Sequence, residues 1–232
     1  MYSYKEIRNG VFAIADGTVK MYLICGEDRA LLLDTGNGTG DLLAFIRTLH
    51  SGEIVVAHTH AHPDHIGCDH QFEEIYANEA EWNALCAHGI DQSRLRELTD
   101  GFTFDLGGRR VEAWHTPGHT EGSMSFLDWD NRVLFSGDNV SERPIYMCLE
   151  GVNLDWYKMS IDWLASLEPY FDALYGCHGT EEQSFERAKQ LSILVDLVRA
   201  DQAQTKETMT YDGRPVLEMS YNGVSMLRPR KE

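Results

Sequence analysis

The segment Thr59-His60-Ala61-His62-Pro63-Asp64-His65-Ile66-Gly67 places three histidines and an aspartate within six residues, directly after an apolar run, Ile54–Ala57, that reads as a buried strand. So dense a group gains little in a core or on a surface. Neighbouring imidazoles repel one another once protonated, and only a cation gives them a common partner. Imidazole and carboxylate donors together suit zinc or ferrous iron, and several donors on one short loop lower the entropic cost of organising a site. His60 and His62, two residues apart, face one point if locally extended, and Pro63 redirects the chain so that Asp64 and His65 can face a second. Four neighbouring residues rarely close two coordination spheres, so the fold must bring further ligands to this strand end.

Three candidates stand at other predicted strand ends, each beside glycine, where the backbone turns sharply and a side chain can project from a sheet edge. They are His119 in Thr116-Pro117-Gly118-His119-Thr120-Glu121-Gly122-Ser123, Asp138 in Leu134-Phe135-Ser136-Gly137-Asp138, and His178 in Tyr175-Gly176-Cys177-His178-Gly179. The spacing of apolar residues predicts strands at Val11–Ala15, Val19–Cys25, Ala30–Asp34, Arg109–His115, Ser123–Trp129, Arg132–Ser136 and Ala173–Tyr175. Helices are predicted from Leu42 to Leu49, Asn78 to Ala87, Gln92 to Leu98, Leu154 to Leu167 and Glu182 to Asp201, with Met159, Trp163 and Leu164 as a core-facing stripe. Strands alternating with helices indicate a layered α/β class. No Pro/Ser/Gly-rich linker interrupts the chain, so residues 1–232 are read as a single domain. Its tail, about 206–228, is strand-rich and is expected either to cover a sheet edge or to form the arm of a homodimer.

Twenty Lys+Arg against 37 Asp+Glu give a formal charge of −17. That balance argues against nucleic acid and anionic membranes, which draw affinity from clustered cations. The compact basic cluster is terminal, Arg228-Pro229-Arg230-Lys231. No window approaches the roughly 18 apolar residues of a membrane span, and the N-terminal residues lack the apolar run of a signal peptide, so a cytoplasmic location is expected. Five cysteines, odd in number and without a CxxC pair, fit a reducing compartment and read as small buried side chains. Of the other histidines, His50, His58, His70, His88 and His115 read as structural, His58 being the one placed to support the neighbouring motif.

From Leu31-Leu32-Leu33-Asp34-Thr35-Gly36 onward, the order of these motifs resembles the metallo-β-lactamase-fold hydrolase superfamily over nearly the whole chain. The resemblance implies an α/β fold, a four-layer αββα sandwich of two mixed β-sheets with the site on one edge. It implies two divalent ions, zinc with iron or manganese as alternatives. His60, His62 and His119 would form the first site, Asp64, His65 and His178 the second, with Asp138 bridging and Asp34 supporting the histidine loop from behind. The implied chemistry is hydrolysis by a metal-bound hydroxide that Asp64 orients, with no Ser or Cys nucleophile. Neutral imidazoles are required for binding, so metal loss is expected below about pH 6.

The superfamily spans many substrates, so the details must choose. The Thr116–Ser123 and Ser136–Asp138 segments are similar to glyoxalase II and related thioesterases. No basic, helical glutathione-binding extension is evident after His178, which argues against glutathione thioesters. Charge and the lack of a long insert disfavour the nucleases, the missing export signal disfavours a β-lactamase, and the intact HxHxDH disfavours the flavodiiron reductases. The reading is therefore a hydrolase of a small carbonyl ester, thioester or lactone. Alternatives are a mononuclear iron persulfide dioxygenase, a phosphodiesterase, or a metal-binding protein without turnover. Arg143, Tyr146 and Trp156 are candidate substrate contacts.

Overall fold

The computed structural model describes residues 2–180 and 182–230; Lys231 of the terminal basic cluster lies outside the described residues. Four strands, β1 (Ser3–Arg8), β2 (Val11–Asp16), β3 (Val19–Cys25) and β4 (Arg29–Leu33), form an antiparallel meander. Parallel strands β5 (Glu53–Ala57), β6 (Ile75–Ala77) and β7 (Leu95–Glu97) extend it to a seven-stranded mixed sheet. Helices α1 (Leu42–Arg47) and α2 (Trp82–Ala87) belong to the same half. A second, six-stranded sheet holds β8 (Phe102–Asp105), β9 (Arg110–His115), β10 (Met124–Asp128) and β11 (Val133–Phe135), all antiparallel. After β12 (Ile145–Tyr146) and helix α3 (Leu154–Ser166), β13 (Ala173–Tyr175) joins that sheet parallel to β11, and β14 (Glu182–Gln183) closes its edge. Helix α4 (Phe185–Arg199) follows.

Both sheets are buried on two faces, so their central strands are apolar at consecutive positions rather than alternating. In β4, Leu31 and Leu33 face the second sheet, while Ala30 and Leu32 pack with Leu42 and Ile46 of α1. In β10, Phe126 faces the first sheet, while Leu127 packs with Tyr157, Ile161 and Leu164 of α3. Each such Leu or Phe contributes about 1.5–3 kcal/mol by leaving water. These alternations yield the expected αββα layering. Helix α3 begins where the Asn153 side chain accepts from the amides of Asp155 and Trp156, both at 3.0 Å, and α4 where Ser184 accepts from Arg187 at 3.2 Å.

Several local expectations are corrected. Gln92–Leu98 is no α-helix: Gln92–Arg94 is a single turn, capped by Asp91, and Leu95–Glu97 instead pairs with β6. The run is too short to sustain a helix once the open edge of β6 offers ladder hydrogen bonds. Met159 is 70% exposed, because α3 turns Tyr157, Ser160, Ile161 and Leu164 inward. Cys86 is exposed and only Cys68 and Cys177 are buried, so the cysteines are not uniformly core residues. The tail does not pair with an edge of either main sheet. Strands β15 (Gln204–Met209), β16 (Pro215–Tyr221) and β17 (Val224–Pro229) join β12 in a separate four-stranded sheet that packs through Val224 and Met226 against the α3–α4 core.

Candidate metal centre

Parallel pairing of β4 with β5 and of β11 with β13 puts the C-terminal ends of these strands on one edge of the sandwich. Strand β9, antiparallel to β10 as β10 is to β11, ends there too. Every loop carrying a candidate ligand leaves from that edge. Cross-links fasten the sheets there: Met124 N donates to Thr59 O at 2.7 Å, and Lys20 N to Cys177 O at 2.9 Å. Two glycines permit the loops' close approach. A Cβ on Gly67 would lie 2.3 Å from the Gly38 nitrogen, and one on Gly118 2.3 Å from the Tyr157 backbone.

Asp34 organises the centre from behind. Its backbone adopts φ 64°, a left-handed conformation that aspartate tolerates better than most residues. Its fully buried carboxylate accepts from Thr59 N, Thr59 Oγ1 and His65 Nδ1, each at 2.8 Å. Cys177 Sγ lies 3.7 Å away and His58 Nδ1 3.4 Å away. Burial, the largest influence, would raise this carboxyl's pKa, but His65 and His58 outweigh it and hold the group well below the usual range. His58 Nε2 in turn lies 3.0 Å from the Asp69 carboxylate, and Thr35 Oγ1 donates to Asp69 at 2.7 Å.

Each candidate ligand then presents a nitrogen whose direction is set by its other one. His119 Nδ1 donates to Tyr146 O at 3.1 Å and His178 Nδ1 to Thr18 O at 3.0 Å, so both aim Nε2 inward. Thr59 Oγ1, having donated to Asp34, can accept from His60 Nδ1 at 3.0 Å, which leaves His60 Nε2 as a lone pair. His62 Nδ1 meets His60 Nε2 at 2.9 Å and His119 Nε2 at 3.1 Å. One proton on His62 Nδ1 could bridge only one of those contacts. Across a few ångströms, His178 Nε2 lies 3.4 Å from Asp64 and 3.2 Å from Asp138. Asp138 also lies 3.6 Å from His65 Nε2 and 3.7 Å from His119 Nε2, and so stands between the two groups.

The fit to metal rests on two orphans. His65 Nε2 and Asp138 Oδ1 are buried without a hydrogen-bond partner, a costly state that cations between them would relieve. Potential donor atoms of His60, His62 and His119 lie within 4.8 Å of one another, as do those of Asp64, His65 and His178. Electrostatics separate the two groups. Burial and the neighbouring imidazoles push His60 well below its ordinary value; burial lowers His62 to about 4 and, together with His62, His119 to about 3. The neutral state expected only above about pH 6 thus extends lower. In the second group burial also opposes protonation, but Asp138 and Asp34 raise His65 well above its usual value, and Asp138 and Asp64 raise His178 to about 10.

The structure therefore brings together all seven predicted ligands, with Asp34 behind them. Above them opens a cleft of ≈1730 Å³ whose lining includes His62, Asp64, Asp138, His178, Arg143 and Tyr146. Trp156 is not among its lining residues: Tyr157 takes the inward position against Gly118, which turns its neighbour outward, 40% exposed. Sequence reasoning passed over Glu81. Its buried carboxylate accepts from Ala61 N at 2.8 Å and Gly122 N at 2.9 Å, tying the His60 loop to the His119 loop. Asp69 was missed as well; neither carries a local signal. A second cleft, ≈1000 Å³, contains no histidine in its lining and includes Asp28, Glu53 and Phe102.

The chain matches the metallo-beta-lactamase superfamily over residues 14–191. It is 26% identical over 211 residues to acyl-coenzyme A thioesterase MBLAC2 of Gallus gallus, covering 72% of this chain and 76% of that protein. It is 32% identical over 123 residues to atrochrysone carboxyl ACP thioesterase of Aspergillus fumigatus, covering 51% of this chain and 28% of that one. Among solved structures it resembles a metallo-beta-lactamase from Pontibacter korlensis with a TM-score of 0.71 at 21% identity, over 84% of this chain and 99% of that one. Motif order, layered fold and sequence match agree: this chain belongs to the metallo-β-lactamase superfamily.

Proposed function

We propose that the protein is a dinuclear metal-dependent hydrolase of acyl thioesters. The observation that carries this reading is the convergence of seven side chains from four loops, with Asp138 between two donor groups and His65 Nε2 and Asp138 Oδ1 otherwise unpartnered. His60, His62 and His119 would hold one divalent ion, and Asp64, His65 and His178 the other, with Asp138 shared. Two such ions, zinc by donor set with iron or manganese as alternatives, supply Lewis acidity at the thioester carbonyl and a water that ionises near neutral pH.

The protein's own groups do the rest. Asp64, its side chain 37% exposed, lines the cleft, where its carboxylate can orient the attacking water and take its proton. Burial raises the Cys177 thiol to about 12, so it is no nucleophile at neutral pH. Arg143 lines the cleft, is exposed, and makes no ion pair among the described residues, which suits it to an anionic leaving arm. The names of two groups of relatives, thioesterases of coenzyme A and of carrier-protein substrates, support the thioester over the ester or lactone. The substrate is a small molecule or a pantetheine arm, not a long polyanion, which the −17 charge disfavours. Among the described residues, no helix is long and apolar enough to cross a membrane.

The test is turnover of acyl-coenzyme A and acyl-pantetheine thioesters by zinc-reconstituted protein, with and without chelator. Chelator-sensitive hydrolysis is expected; hydrolysis indifferent to chelation, or none of either class, would refute the proposal.

A further inference from the structure

The superfamily match ends at residue 191, yet the cleft over the ligands does not. One wall is built by the tail: Thr208, Met209, Tyr211 and Arg214 of the β15–β16 hairpin and its turn, with Leu227 of β17. Two of these residues are placed oddly for a folded chain. Tyr211 is 98% exposed and Met209 57%, both large, and both on a wall that faces the reactive cluster. Single exposed apolar side chains need no explanation, but two beside a cleft of ≈1730 Å³ do. That volume exceeds the roughly 300–1,000 Å³ of ordinary small-molecule sites, so a small ester would leave most of the cleft to water.

The hairpin is held rather than loose. Its turn is closed by Thr210 N to Arg214 O at 2.8 Å and Gly213 N to Thr210 O at 3.0 Å, and Arg214 Nε pairs with Asp212 at 2.8 Å. It is also joined to the metal centre. Tyr211 N donates to the Tyr146 hydroxyl at 3.3 Å, and the Tyr146 carbonyl accepts from His119 Nδ1 at 3.1 Å. The residue that fixes the orientation of a ligand therefore also fixes the height of the wall above it.

We propose that Met209 and Tyr211 form the acyl-selecting wall of the site: they contact an extended apolar acyl group while the histidine–aspartate cluster handles its carbonyl. This assignment rests on the thioesterase reading for its substrate class. Methionine's flexible thioether and the broad tyrosine ring suit a chain of methylenes without demanding one length.

The test compares zinc-loaded wild type with the Met209→Ser, Tyr211→Ser double variant, whose side chains are exposed and so leave the fold intact. The ratio of kcat/KM for octanoyl over acetyl thioester is expected to fall at least about tenfold, chiefly through KM, with metal content unchanged. A ratio within twofold of wild type would overturn the proposal. Calorimetric binding of octanoate, the product acid, separates this idea from the function itself. If the wild type hydrolyses no thioester but binds octanoate and the variant does not, the thioesterase reading falls and the wall stands. Equal octanoate binding by both proteins, or by neither, overturns the wall.

Discussion

Replacing Asp34 with asparagine separates the electrostatics of the centre from its backbone, because asparagine tolerates the left-handed φ of 64° as well as aspartate does. In the native protein one carboxylate oxygen takes Thr59 N, and the other takes Thr59 Oγ1 and His65 Nδ1, all at 2.8 Å. The introduced amide can keep its oxygen on Thr59 N, but its NH2 then faces the His65 N–H. Hydrogen bonds to charged groups contribute about 1.5–3 kcal/mol each, and removing one partner of a buried ion pair costs about 3–5 kcal/mol. Asp34→Asn is therefore expected to lose about 3–5 kcal/mol, a large share of the roughly 5–15 kcal/mol available to a folded domain. His65 also loses the bond that directs Nε2 toward Asp138, so affinity at the second ion should fall about 10–100-fold, the usual cost of losing such a support. Urea unfolding of the metal-free protein at pH 7 reads the first effect, and zinc titration against a competing chelator the second. Stability within about 1 kcal/mol of wild type together with unchanged affinity at both sites would refute the reasoning.

Two further outcomes follow from the same geometry. Metal-free protein at pH 7 should carry protons on His65 and on His178, whose pKa is raised to about 10, while His62 at about 4 and His119 at about 3 are already neutral. Filling both sites should therefore release protons held by His65 and His178, read by calorimetry in buffers of different ionisation enthalpy, and the His178 share of the release should vanish as pH passes about 10. Before metal is added, the His178 contribution to stability is complete below about pH 6.5 and lost as pH rises through about 10; heats independent of buffer at pH 7 would contradict this. Glu81→Gln should cost about 1–3 kcal/mol, since Ala61 N and Gly122 N meet different carboxylate oxygens and the amide would turn its NH2 toward one of them; an unchanged denaturation midpoint would show that the two loops do not depend on it.

The candidate site was far more legible in the sequence than its supports. The His60–His65 loop declares itself because imidazoles gathered on one loop have no other common partner, and His119, Asp138 and His178 stand at strand ends beside glycine. Asp34 was readable only through family resemblance; nothing local foretells a carboxylate serving Thr59 and His65 together. His58 was readable from its place beside the motif, whereas Glu81 and Asp69 act between loops distant in sequence, and no periodicity encodes such contacts. Trp156 was misplaced through helix phase: one residue's shift around α3 puts Tyr157 against Gly118 and its neighbour in solvent. The tail's strands were visible from their alternation, but not their partner β12, which is two residues long. Tertiary pairing, not local pattern, decided where that sheet lies.

Metal stoichiometry tests the central claim most directly. Elemental analysis of zinc-reconstituted wild type and Asp138→Ala, after exhaustive dialysis, should give about two ions per chain for the wild type and a clear loss for the variant, which lacks the carboxylate between the two groups. A wild type that retains one ion or none, or a variant that retains as many as wild type, would contradict the dinuclear centre.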